Sequence, residues 1–303
     1  MFEKLYQNIL SEKIKERIEK AILSIAIASF IIHLIIIYLV DFKLVSLDTT
    51  SNLLTNPIAA IYTPFSFILL YEVYLLIYYL PKSFTKYVSK QYEIMSLIII
   101  RRLFKDLSDL KISGDWFKIK YDLQFSYDLV TSLLMFFLIY LFYLQSEPKK
   151  NVVDSSVTTN LQVIKFIKIK KMLALLLVPI FIFLSIYSFA TWITQVFFSD
   201  VNSTISFSNI NNIFFEQFFN ILIFADVLLL LFSFFLTDDF QKVMRNSGFI
   251  ISTILIRISF STTGLVNNLL IICAIIYGLF ITIIHNKFEF ERKVSITNGH
   301  QEV

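Results

Sequence analysis

Cysteine occurs once in this chain, at Cys273 inside an apolar run, so no intramolecular disulfide and no multi-cysteine metal site can form. Histidine occurs three times, at His33, His285 and His300, too sparsely to build a metal site with that single thiol. Glycine and proline number five each in 303 residues, and charged residues make up 17%, below the roughly 25% of an ordinary soluble domain. No His-Glu-x-x-His, Gly-x-Ser-x-Gly, Gly-x-Gly-x-x-Gly or phosphate-loop pattern appears, and no cofactor is expected. These gaps argue against a hydrolase, a dinucleotide enzyme and a disulfide scaffold, and the reading is of a non-enzyme.

What is abundant is apolar: 56% of the residues, with 33 Phe and 15 Tyr, and a mean hydropathy of +0.71. A helix needs about 20 apolar residues to cross a ~30 Å hydrocarbon core. Ala21–Val40, Pro57–Leu80, Tyr127–Leu144, Met172–Phe198 and Ile213–Leu236 qualify. Phe249–His285 is long enough for two spans, broken at Ser261-Thr262-Thr263-Gly264. Pro64 and Pro179 lie inside spans and are expected to kink them.

Seven spans do not fit the loop charges. Lys/Arg number five in 1–20, nine in 81–126 and six in 145–171, against one in 41–56 and none in 200–212. Cytoplasmic loops collect Lys and Arg, yet seven spans put the basic loops flanking Tyr127–Leu144 on opposite sides. A further crossing at Tyr92–Leu110 repairs the parity, although its hydropathy alone is that of an amphipathic surface helix. Lys111, Lys118 and Lys120 then lie outside, balanced by Asp115 and Asp122, with Trp116, Tyr121 and Tyr127 as an interfacial aromatic belt. Both termini are expected in the cytoplasm. Phe2, Leu5, Ile9, Ile14 and Ile18 share a helical face, which suits a segment lying on the inner membrane surface, or equally a solvated charged helix. Arg is scarce (six) beside Lys (21), with much Ile, Phe and Asn, the mix of an AT-rich bacterial coding sequence; the bacterial inner membrane is the expected location.

The chain also repeats itself. Ile94–Phe104 aligns with Ile250–Phe260 at six of eleven positions, including Ser96 with Ser252 and Arg101 with Arg257. Upstream, each copy has an acid in the preceding span, Glu72 and Asp226; downstream, Leu129-Val130 matches Leu265-Val266. The expected fold is all-α: a polytopic transmembrane helix bundle of about eight spans in two parallel four-helix repeats. The first is 1–146 with its N-terminal amphipathic segment and the second is 165–290. A cytoplasmic linker, 147–164, joins them, and a polar C-terminal tail covers 291–303.

Charges inside apolar spans carry the functional expectation. Such a charge costs at least about 2.5–3.5 kcal/mol, so it is paired or faces a polar cavity. Asp226 and Arg257 are equidistant from the centre of the loop between their helices, which puts them at one depth, about 15 Å in. Glu72 faces Arg101 and Arg102 in the same way. Arg102 is left over in this scheme, as an interfacial residue or an anion site, because Glu93 and Asp128 are placed nearer the surface. One reading is an ion or solute pathway lined by Glu72, Arg101, Arg102, Asp226 and Arg257, with Ser96 and Ser252 nearby. The other is a set of locked ion pairs in a scaffold or subunit whose basic segments dock anionic lipid, a membrane partner protein or a second copy. His33 is expected as a hydrogen-bonded packing residue, and Glu216 as interfacial. Nucleic acid is not implied by the net charge of +4. The few glycines favour continuous helices over a broken-helix site.

Overall fold

The computed structural model describes residues 2–42, 57–109, 120–146, 161–198, 207–236, 239–259, 262 and 264–299. Among these residues every regular element is a helix. The order is α1 (Phe2–Ile9), α2 (Glu12–Asp41), a 3-10 turn (Pro57–Ile61), α3 (Tyr62–Tyr79), α4 (Phe84–Asp109) and α5 (Lys120–Ser146). Then follow α6 (Leu161–Phe198), α7 (Phe207–Leu236), α8 (Phe240–Ser259) and α9 (Leu265–Gly299). Five stretches among the described residues are long and apolar enough to cross a bilayer: Glu3–Asp41, Leu123–Ser146, Gln162–Tyr187, Gln217–Leu236 and Leu265–Arg292. The apolar part of α3, Thr63–Tyr79, is shorter. The described helices expose large apolar side chains freely, with Phe235 at 85% and Phe183 at 68%. Such surface suits hydrocarbon better than water.

Contacts divide the chain into two units. One comprises Met1–Tyr79 with Glu93–Leu133; the other comprises Leu80–Tyr92 with Leu134–Val303. Helices α4 and α5 therefore contribute to both.

In the first unit, α2 and α3 run side by side through tyrosines. Tyr78 donates to Glu12, Tyr71 Oη donates to Glu19 Oε2 at 2.7 Å, and Tyr74 Oη donates to the Ile9 carbonyl at 3.2 Å. Tyr suits this seam because its ring is apolar and only its tip needs a partner. Since Glu12 and Glu19 precede Ala21, the second half of α3 lies beside the charged turns of α2 rather than beside Ala21–Val40. The amphipathic N-terminal face is split, because the chain turns at Leu10 and Ser11 between α1 and α2. His33 bonds to Thr63. Pro64 is the third residue of α3, where its missing N–H has no helical acceptor to satisfy, so the kink expected there has no cause. Pro179 does lie inside α6 and leaves the Leu175 carbonyl without its helical donor.

In the second unit, α8 begins at Asp239, whose carboxylate accepts the backbone N–H of Gln241 at 3.1 Å and of Lys242 at 3.4 Å. Ser83 caps α4 through the N–H of Lys86 at 3.3 Å. The long apolar run breaks after Ser259. The Ser259 carbonyl accepts Thr262 N at 3.1 Å, Thr262 Oγ1 at 2.8 Å and the Asn267 amide, and Gly264 takes φ 73°, which an L side chain rarely adopts. Gly248 is buried within α8 against Ile281. Helix α6 starts at Leu161, inside the stretch assigned to the linker, and α9 continues as helix to Gly299 through most of the expected tail. Lys111, Asp115, Trp116, Lys118, residues 147–160 and His300 lie outside the described residues, as do the side chains of Lys120, Tyr121, Asp122 and Glu216.

Candidate functional site

Asp226 lies midway along the apolar stretch Gln217–Leu236 of α7 and is 1% exposed. A carboxylate there must be met by donors or by a cation. It is met by two. Arg257 Nη2 of α8 stands 2.8 Å from Oδ2 and Tyr87 Oη of α4 donates to Oδ1 at 3.0 Å; Thr253 Oγ1 lies 3.5 Å from Oδ2 but gives its one proton to the Ile250 carbonyl at 2.9 Å. Thr253 is one helical turn before Arg257, so both lie beside the same acid on one face of α8. Gln91, one turn after Tyr87 on α4, accepts from Arg257 Nη2 at 3.3 Å. The charges cancel within the cluster.

Ser252 is adjacent and serves another purpose. It donates its one proton to the Ala274 carbonyl at 2.6 Å, so in the 2.7 Å contact with Tyr92 the phenol is the donor. Tyr92 fits because residue 278 of α9 is glycine: a Cβ there would stand 1.8 Å from the phenolic oxygen. Lys170 of α6 is buried near the start of α4, donating to the Lys82 carbonyl at 3.0 Å with its ammonium 3.9 Å from the Phe84 ring centroid.

In the first unit, Glu72 and Arg101 line one small cleft with Phe65, Ile68, Leu69, Leu97 and Ile98. Both are buried. Tyr71, the residue before Glu72, reaches Glu19, which sets Glu72 level with the charged part of α2. Arg102 reaches another acid. Its Nε and its Nη2 (2.9 Å) both meet Asp128 of α5, whose side chain is fully buried and also accepts from Gln124 at 2.8 Å. The expectation that Arg102 is left over is therefore corrected: Asp128 is its partner. Ser96 donates to the Glu93 carbonyl of its own helix at 2.6 Å and takes no part in either cluster through that bond.

The sequence reading also passed over Tyr87, Gln91, Thr253 and Lys170. The i, i+4 spacing of Tyr87 and Gln91 was the available signal. It was masked because the first turns of α4 read as a basic loop.

The chain is thus of the class of all-helical proteins with several helices long and apolar enough to cross a membrane. Comparison with protein-family models, curated proteins and solved structures gives no match that would narrow that class.

Proposed function

We propose that this chain is a bacterial inner-membrane transport protein that moves an ion or small solute along a polar seam between helices, with Asp226 as its switching group. The observation that carries the reading is the Asp226–Arg257 contact of 2.8 Å, halfway along an apolar helix and supplemented by Tyr87. Protonation removes the charge that Arg257 pairs with, and leaves the guanidinium with the Gln91 carbonyl oxygen. An arginine released in this way is a site for the transported charge. Intramembrane acids and arginines are candidate functional groups by default, because hydrocarbon penalises them otherwise.

The reading includes eight spans in two parallel repeats with both termini cytoplasmic. The shift that aligns Ile94 with Ile250 also aligns the caps Ser83 and Asp239, the first helical residues Phe84 and Phe240, and Lys86 with Lys242. Two arginine-bearing helices that start at corresponding residues support duplication. At 26 residues α4 is about 39 Å long at 1.5 Å per residue, sufficient to cross. Maleimide labelling of cysteines placed at 111 and 118 tests that crossing: labelling from the external face supports it, and labelling only from the cytoplasmic face removes it.

A second reading is a membrane scaffold or subunit. The close approach at Gly278 favours it, since helices packed that tightly do not part easily. Flux through reconstituted liposomes separates the two. Transport predicts flux in the wild type and its loss in Asp226→Asn. Absent wild-type flux, or flux unchanged by both Asp226→Asn and Glu72→Gln, overturns the transport reading.

A further inference from the structure

His285 lies on α9 one turn before Glu289 and is buried, whereas the Glu289 side chain is 47% exposed. Arg245 of α8 reaches the ring, with Nη1 3.1 Å from Nε2. A guanidinium can only donate, so Nε2 accepts, and the neutral ring in this bond carries its proton on Nδ1. Nδ1 is buried with no hydrogen-bond partner among the described residues. Glu289 Oε1 stands 3.7 Å from the same Nε2. Arg245 continues the chain: its Nη2 donates to Asn246 Oδ1 at 3.3 Å, and Asn246 Nδ2 donates to Ser233 Oγ at 2.9 Å. Ser233 is on α7, two turns beyond Asp226. An exposed carboxylate is thereby linked, contact by contact, to the helix that bears Asp226.

We propose that His285 is a second proton-binding site, and that binding a proton transfers its Nε2 from Arg245 to Glu289. The incoming proton takes the Nε2 lone pair. The Arg245 hydrogen bond breaks, because Nε2 can no longer accept and both groups are now cationic. The new Nε2–H turns to the Glu289 carboxylate. The charged groups around the ring are Arg245 and Lys242 on α8, which oppose the proton, and Glu289 on α9 and Asp239 at the α8 cap, which favour it. Release of Arg245 loosens Asn246 and the tie to Ser233, so α8 becomes free to shift against α7 and α9 at that end. Delivery of the proton onward to Asp226 rests on the transport reading above; the exchange of partners at His285 does not.

The test is nitrogen-15 NMR of histidine-labelled protein in detergent micelles, with the three rings assigned by His33→Asn, His285→Asn and His300→Asn. The expected result at alkaline pH is the Nδ1–H tautomer for His285, the minority form of a free side chain, and its loss to the Nε2–H form in Arg245→Met. On acidification the ring becomes doubly protonated, with an Nε2–H signal displaced by the carboxylate and restored to an ordinary position in Glu289→Gln. An Nε2–H ring in the wild type at alkaline pH, or a tautomer unaffected by Arg245→Met, overturns the proposal. The correct tautomer in a protein without liposome flux would remove the transport reading and leave this switch standing; flux with the wrong tautomer would do the reverse.

Discussion

Asp226 and Glu72 are both buried acids close to a buried arginine, yet they keep different company. Asp226 is held by Arg257 and Tyr87 in the middle of an apolar helix. Glu72 shares a cleft with Arg101 at the level where α2 is still charged. Removing one partner of a buried pair that meets directly is strongly destabilising, because the other charge is left uncompensated. The difference teaches that one pattern of residues is met by hydrogen-bonding side chains of neighbouring helices in one half and by an otherwise apolar lining in the other.

The sharpest way to break that contrast is to delete the acids. Asp226→Leu leaves Arg257 buried without its counter-ion and should destabilise by about 3–5 kcal/mol, and adding Arg257→Leu should return most of it. Denaturant titration of the detergent-solubilised protein, followed by tryptophan fluorescence or circular dichroism, reads both. Glu72→Leu should cost less than half as much, because Arg101, 9% exposed, keeps more access to solvent than Arg257 at 5%. Equal costs at the two acids would show that their settings do not differ.

Next in size is the packing beside the second cluster. Gly278→Ala places a methyl group where the Tyr92 hydroxyl now sits, and should cost about 1–3 kcal/mol. Tyr92→Phe removes the hydroxyl oxygen and should recover a good part of it in the double variant. Absence of rescue would mean that the close approach belongs to the helix backbones rather than to the phenol. Arg102→Met, on the side of Glu72, should cost about 2 kcal/mol. Arg102 is 30% exposed at the side chain, so solvent offsets part of the loss at Asp128.

The helices were legible in the sequence because apolar runs and their breaks are local. Ser259 and Gly264 end one helix and begin the next where small polar residues interrupt the run. The contact between Asp226 and Arg257 could be anticipated because a short loop fixes the register of its two helices. The i, i+4 spacing of Tyr87 and Gln91 marks a shared face, but their partners Asp226 and Arg257 lie more than a hundred residues away in the chain, which no local pattern indicates. The pairing of Asp128 with Arg102 was missed for a related reason: it joins α4 to α5 across residues 110–119, too long a connection to fix a register. The place of Glu72 depends on the slide of α3 along α2, which the tyrosine seam and the His33–Thr63 bond fix.

The smallest effects lie at the two caps, where the comparison between halves is cleanest. Ser83 and Asp239 hold the same position at the start of α4 and α8, one neutral and one charged. Alanine at either should cost about 1 kcal/mol near neutral pH. Only the Asp239 contribution should depend on acidity. Partial burial raises its carboxyl, but the side-chain and backbone hydrogen bonds from Lys242 outweigh that and hold it below the ordinary aspartate range. A carboxyl lowered in the folded state stabilises fully above the unfolded value, and that stability is lost as pH falls through the folded one. The charge-dependent part of the cost of Asp239→Ala should therefore begin to fade below about pH 4 and be lost as pH falls through the lower folded-state value, while the cost of Ser83→Ala does not change. Unfolding curves for both variants at neutral and acid pH read the difference. Parallel behaviour would mean that Asp239 acts through its shape, as serine does, and that the charge at this cap contributes nothing.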